Sequence, residues 1–589
     1  MKLLYIKSSF IVSMTLLLTF VSCTDLLKEQ PRAAVTPDYF STPGGVLGGI
    51  TGVYSDMRNL WGTEGFLNMV VGGTDEVLKG GSGNLNFFEY GIVNSDIAGL
   101  WNIAYQDINT LNGVLKYGAS VALPDATRKQ YLAQAKFLRA FYYFYLVQTY
   151  GDIPLHTEFI TTASAADSRA PIADVYTQII KDLTDAAADL PAVPTAPFLG
   201  KAATSATAKY LLAKTYLTRG WSTAAQATDF ASAYTTANEL ITNKSTYGLL
   251  LLPDYGNVNI KANDYGTETL FVIDHSADLK YGEYTTGSSA SGAKENKSNF
   301  YYRPNYPTVT ANYPLSTGTA VMVRDIPNGR PFIRVRPNGP YLLNQAFAER
   351  VNDSRWDKTF QVAWIANNGS VVTPRGTLTA VDTAIWTPPF EVTAARRAAF
   401  KGIIVTPSGA PKNDPTAKSS WDPNIYPSMK KYDDASRANM NDASTRPFVM
   451  FKFSEVYLIA AEAALKGGST LQNAADMLNV VRQRAAYRST NSAAQNTAAV
   501  TAMTITSAQV TLDFILDERT RELFGEYQRW WDLVRTKTMD ARLRTWNTAE
   551  AYAKYSTSSP ANAYMLRPVP QTQIDLVTEG PKFPQNPGY

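Results

Sequence analysis

Cysteine occurs once in 589 residues, at Cys23, and histidine only twice, at His156 and His275. A lone thiol excludes an internal disulfide, so stability must come from core burial, for which a chain of this length has ample apolar area. Two histidines far apart leave no basis for a His-built zinc site or a Ser-His-Asp triad, and neither metal nor cofactor is expected. Charged residues make up only 18% of the chain, with a net charge of +4 and no basic tract. That distribution excludes the electrostatic footprint of a nucleic-acid binder. There is no Gly-x-Ser-x-Gly elbow, no Walker loop and no His-Glu-x-x-His, which removes several hydrolase and nucleotidase classes. Gly44-Gly45-Val46-Leu47-Gly48-Gly49 lacks the spacing of a dinucleotide fingerprint.

Long apolar runs are also missing, apart from residues 10–21 near the N-terminus. That run falls short of the about 20 residues that cross a bilayer, and Lys2 and Lys7 precede it, so it reads as a removable signal peptide. Ser22-Cys23 at its end has the pattern of a lipoprotein cleavage site, with Phe20 a departure from the usual box. The expectation is a signal peptide over 1–22 and a lipid on Cys23. The body, 23–589, would then touch a membrane only through that lipid. Cleavage leaves 589 − 22 = 567 residues, and losing two lysines lowers the charge from +4 to about +2.

What is abundant is aromatic: 12% of the chain, with 34 Tyr and 10 Trp. Periodicity divides the body into parts. From about 40 to 250 the pattern is helical, with Tyr131, Ala135, Leu138, Tyr142 and Tyr145 forming one stripe that stops at Gly151 and Pro154. Trp101, Tyr105, Ile108 and Leu111 form another stripe and are core candidates. Helices are also expected over 171–190, 203–219 and 225–243. From 251 to 450 the chain is rich in Pro, Gly, Asn and Tyr, with short strand-like pieces at 269–273 and 361–365. A loop zone this long is a place to look for ligand contacts. Helices return over 451–545, with 453–466 and 471–486 joined at Gly467-Gly468 as a hairpin, then a third over 508–526. A proline-rich tail over 546–589 closes the chain. The fold expected is mainly α, with tetratricopeptide-like helical hairpins and a large irregular loop-rich region that binds ligand.

Several segments carry a resemblance. Residues 134–155, with Phe137-Leu138-Arg139-Ala140 and Tyr150-Gly151-Asp152-Ile153-Pro154, resemble a signature of the SusD/RagB family. So do Arg169 with Val175-Tyr176, Phe453-Ser454-Glu455-Val456-Tyr457, Leu478 to Ala485, and Glu518-Arg519 through Arg529-Trp530-Trp531-Asp532 to Arg535. The ending Gln585-Asn586-Pro587-Gly588-Tyr589 is similar to the family's C-terminus. The resemblance implies a non-catalytic lipoprotein on the outer face of the outer membrane. It would capture oligosaccharides, or in some members peptides, and pass them to a SusC-like TonB-dependent transporter. A surface glycoside hydrolase and a protein-binding scaffold or adhesin are the alternatives.

Read from the residues alone, Glu518 with Arg521 and Asp532 with Arg535 stand three apart on helices. Beside Trp530 and Trp531 they suggest ion pairs and an aromatic lock rather than an acid–base pair. Asp75-Glu76 reads as a structural turn and His156 as a satisfied loop histidine. Sugar capture needs aromatic faces for pyranose C–H groups and planar polar groups for hydroxyls. The candidates by placement are Trp61, the glycine-rich loop presenting Asn84 and Asn86, the cluster Tyr301, Tyr302, Arg303 and Asn305, and the proline-flanked Trp386 and Trp421.

Overall fold

The apolar stripe of the central helix becomes Asp125–Tyr150, in which every residue from Phe137 to Tyr150 is buried. Gly151 stops it in a conformation with φ 76°, a backbone state that suits glycine. In the computed structural model, residues 37–82, 95–198, 200–276, 294–408, 421–547 and 565–589 are described. Cys23, Asn84 and Asn86 lie outside them.

Helices stack on one another in sequence order. Ser95–Gly118 packs on Asp125–Tyr150, which packs on Ile172–Asp189, then Ser205–Trp221, then Asp229–Thr242. The chain next departs for two hundred residues and returns to the same stack, with Phe453–Ala463 against Asp229–Thr242 and Leu471–Ala485 against Phe453–Ala463. The order is that of a tetratricopeptide-like solenoid with one long insertion, so the expected mainly α architecture stands. Gly467 (φ 91°) makes the expected turn between the last two helices. Strand Thr269–Ile273 pairs antiparallel with Phe448–Lys452, clasping the insertion where it leaves and where it returns. The insertion itself holds short strands such as Ala363–Ile365 and Thr383–Trp386, and brief helical turns.

A lattice of buried ions joins these parts, centred on Leu512–Leu523. The Glu518 carboxylate faces Arg355 at 2.7 Å, Arg482 at 2.9 Å and Arg521 at 2.7 Å. One turn on, Glu522 pairs with Arg484, which also holds Glu268 at 3.0 Å. On the neighbouring face Arg519 bridges Glu455 at 2.7 Å and Asp532 at 2.6 Å. Lys214 reaches Glu455 at 2.8 Å, and Arg535 ties Asp532 to Glu462. The two pairs read from helical spacing are therefore present, inside a wider network. The Arg567 guanidinium lies 3.5 Å from the centre of the Trp530 ring, completing an aromatic lock.

Asp75 and Glu76 are part of the same lattice, in the structural role expected of them. Asp75 accepts from Arg529 at 2.7 Å and from Arg542 at 2.6 Å, which fastens the first third of the chain to the last. Glu76 is buried beside it, and burial outweighs the pull of Arg529, raising its carboxyl to about 7. For Glu455 the balance is reversed. Burial pushes its carboxyl up, but Lys214 and Arg519 hold it down at about 2. Arg355, Arg521 and Arg482 likewise overcome burial at Glu518 and keep it ionised.

Two consequences can be measured. Glu518→Ala removes the carboxylate that three buried guanidiniums share, the one ion-pair partner of Arg482 and Arg521 among the described residues, and should cost about 3–5 kcal/mol in urea denaturation. The two classes of carboxyl give opposite pH slopes. The depressed group, Glu455, contributes stability above about pH 4.5 that is lost as pH falls towards 2. The raised group, Glu76, takes stability away as pH climbs from about 4.5 through 7. Glu76→Gln should flatten the pH 5–8 segment of the stability profile and raise stability at pH 8 by up to about 3 kcal/mol. An unchanged slope would show that Glu76 is not the titrating group.

Candidate functional site

Strand Val77–Lys79 begins directly after the anchored Asp75-Glu76 and pairs antiparallel with Val335–Pro337. Asn338 secures the far end, its side-chain amide donating to the carbonyls of Asp75 and Trp546 at 2.8 Å each. The pairing continues outward as an irregular ribbon. Gly80 N–H donates to the Arg334 carbonyl at 2.9 Å, and Ser82 Oγ donates to the Phe332 carbonyl at 2.6 Å. On the other side of the 332–334 segment, the N–H groups of Phe332, Ile333 and Arg334 donate to the carbonyls of Phe300, Arg303 and Tyr301. A fourth piece joins when Gly81 N–H donates to Pro423 and Asn305 N–H to Asn424. Residues 80–82 at the start of the glycine-rich loop, the Tyr301–Asn305 cluster and the loop after Trp421 thus come together, although about 220 residues separate the first two in sequence.

The close approach is sterically exact at Gly80. A Cβ there would sit 2.2 Å from the Ile333 carbonyl oxygen. Ile333, a β-branched residue, is held at φ 56°, a left-handed conformation that such residues rarely adopt.

Partly exposed rings and amides lie on and beside this ribbon. Phe332 is half-buried, packed at a tilt against Phe300 and Tyr301, with the guanidiniums of Arg330 and Arg334 5.0 and 5.2 Å from its ring centre. Tyr313 is half-buried, and burial together with its hydrogen bond to Asp422 keeps its phenol protonated. Asn305 is half-buried and Asn424 exposed. The carboxylates nearby are engaged: Glu64 with Arg334, Asp325 with Asn328 and Asn367, and Asp422 with the Asn424 N–H. Half-exposed rings with amides and guanidiniums around them can stack on a sugar face and bond to its hydroxyls.

Several expected platforms are instead core. Trp61 is fully buried among Phe66, Phe141 and Tyr145, because the helix Asp125–Tyr150 needs a large ring to fill its flank. Trp421 is also fully buried, stacked on Trp356 and donating to the Pro388 carbonyl at 3.1 Å. Tyr301 and Tyr302 bury their rings and donate to the carbonyls of Gly62 and Gly525. Arg303 is buried and spent on Gln361 and Asp433. These four aromatics and Arg303 shape the ribbon from beneath but present no face to a ligand. Trp386 is half-buried, with Arg396 4.9 Å from its ring centre and the half-exposed Phe390 edge-on beside it, a second aromatic patch next to the Trp421 loop.

Phe332, Tyr313 and Asn424 were not among the sequence candidates. A signal existed in Arg330-Pro331-Phe332-Ile333-Arg334, one ring between two arginines. A cavity of about 650 Å³ on the helical side was not foreseen either. Trp221, Trp531, Phe583, Ile172, Arg169 and Lys537 line it, from segments scattered over four hundred residues.

Gly80→Ala should force the 332–334 segment away and lower stability by about 1–3 kcal/mol, read from the urea midpoint. An unchanged midpoint would contradict the close packing of the ribbon.

Known proteins share this architecture. The SusD family model matches residues 354–589, and a model described as starch-binding, associating with outer membrane, matches residues 80–217. SusD-like protein P2 of Formosa agariphila is 32% identical over 289 residues, which is 47% of this chain and 54% of that protein. The match thus spans about half the length of that relative. A SusD homolog from Bacteroides thetaiotaomicron superposes with a TM-score of 0.66 at 21% identity, covering 94% of this chain and 99% of that one. Surface glycan-binding protein A of the same organism, in complex with laminarihexaose, superposes at 0.59 with 19% identity, covering 93% and 100%. With family models matching residues 80–217 and 354–589 and a fold shared over 94% of its length, the chain belongs to the SusD/RagB family.

Proposed function

We propose that the protein captures oligosaccharides at the outer end of the ribbon without cleaving them. The observation that carries this reading is the partly exposed Phe332 ring, fixed on backbone that is hydrogen-bonded on both sides, with the partly exposed Tyr313 ring held by Asp422 of the 421–424 loop. Rigid backbone beneath a stacking platform lowers the ordering cost of binding. The relatives support the ligand class, since one of them is a surface glycan-binding protein in complex with laminarihexaose. Peptides are the second ligand class. The nearby carboxylates favour binding over hydrolysis, because Glu64, Asp325 and Asp422 are each engaged by a neighbouring donor.

The setting we propose is the outer surface of the outer membrane, with the lipid on Cys23 as tether and a SusC-like TonB-dependent transporter as recipient. The description of the matching family as associating with outer membrane supports the location. Among the described residues no helix is long and apolar enough to cross a membrane, which suits attachment through a lipid.

Purified residues 24–589 should be retarded in gels containing the right glycan and release no reducing ends from it. Phe332→Ala should weaken binding about tenfold, as loss of one stacking ring implies, while its melting temperature stays near that of the parent. New reducing ends would instead establish the hydrolase. Gentle extraction from membranes should bring the transporter down with the protein, and extraction of the protein alone would count against delivery.

A further inference from the structure

The ribbon has a feature that neutral sugars do not call for. Three arginines gather here: Arg330 and Arg334 lie against Phe332, and Arg324 is close enough to repel Arg330. Arg334 is neutralised by Glu64, and Arg324 donates to the amide oxygen of Asn441. Arg330 has no hydrogen bond and no carboxylate among the described residues; the Phe332 face is what positions it. It is half-buried all the same. Burial lowers its proton affinity, and repulsion from Arg324 and Arg334 lowers it further. Behind the three, Arg437 adds another positive charge, spent on the carbonyls of Asp434, Ile326, Met440 and Asp442. The acids in reach are already committed: Asp325 to Asn328 and Asn367, and Asp433 to Arg303. A partly desolvated guanidinium without a counter-ion is unfavourable by itself. It becomes favourable when an anion arrives to complete it, and its planar fork matches a two-oxygen acceptor.

We propose that this site selects acidic glycans, in which a carboxylate or a sulfate ester on the sugar is held by Arg330, with Arg324, bonded to the neutral amide of Asn441, adding to the positive field. The inference rests on glycan capture at the ribbon and names the class captured. In this arrangement Phe332 serves twice: its exposed edge meets the sugar, and its face keeps the Arg330 fork in the plane where the anion lands. The field also predicts salt dependence, since partly exposed charges are screened over a Debye length of about 8 Å at physiological ionic strength.

The test is calorimetry on residues 24–589 with oligosaccharides of equal length in three sets: neutral glucans, oligouronates and sulfated galactans. Measurements are made at 50 and 500 mM NaCl. At least one acidic set should bind tenfold or more tightly than any neutral one, with the advantage shrinking at high salt. Comparison of the uronate and sulfate arms identifies which anion is read. Arg330→Gln should lower the acidic affinity at least tenfold. Lys537→Gln, on the helical side, should leave it alone. Equal or stronger binding of neutral glucans, with Phe332→Ala abolishing it, overturns the acidic preference while leaving capture at the ribbon intact. Absence of binding by all three sets, or binding that Phe332→Ala does not weaken, overturns capture at the ribbon and the preference together.

Discussion

Asp75, held by Arg529 and Arg542, is the contact on which the rest of the molecule depends. Buried carboxylates are expensive to desolvate, and this one is compensated only when the C-terminal helices are in place. The strand that begins two residues later therefore acquires a position in space from the opposite end of the chain. The lattice does the same elsewhere: Glu268 and Arg484 fix the exit of the insertion, Glu455 and Arg519 its return, and Arg355 reaches from inside it to Glu518. Ion pairs buried this deeply are weak sources of net stability. Their effect is registry, because any misplaced helix leaves an unpaired charge inside.

The solenoid was readable because its helices carry apolar residues at three- and four-residue spacing, and their ends carry Gly151, Pro154, Gly467 and Gly468. The Glu518–Arg521 and Asp532–Arg535 pairs were readable for the same reason, since helical spacing makes them neighbours. The longer ion pairs were not, because nothing local in the sequence says that Asp75 meets Arg529. The same limit explains the binding surface. The glycine-rich loop from Gly80, the Tyr301–Asn305 cluster and Trp421 were singled out by composition, and residues 80–82, 301–305 and 421–424 do meet. Within them, however, composition cannot tell a platform from its support. Trp61, Trp421, Tyr301 and Tyr302 are large rings near loops, and large rings are also what fills the space beneath loops. Beside the half-buried Phe332, Ile333 adopts a left-handed conformation against Gly80, a detail with no local sequence signature.

Stability and recognition are thereby divided between two regions. The helical stack and its ion lattice make a rigid body, while three segments of the insertion join residues 77–82 and leave two rings, two amides and the Arg330 guanidinium at least partly exposed. Such a division suits a protein that must hold a ligand without altering it. The half-exposed patch at Trp386 and Phe390, adjoining the ribbon through Trp421, gives a longer chain somewhere to continue. The cavity on the helical side is walled by both apolar and charged side chains and by the tail, whose Asn586 is locked to Tyr150, Arg567 and Arg169.

The most direct test of ligand capture at the ribbon is a crystal structure of residues 24–589 with an oligosaccharide that the protein binds in solution. An intact sugar should lie across Phe332 and Tyr313, with Asn305 or Asn424 on its hydroxyls. A sugar seated instead in the cavity between Trp221 and Phe583, or a cleaved product at any position, would contradict the account.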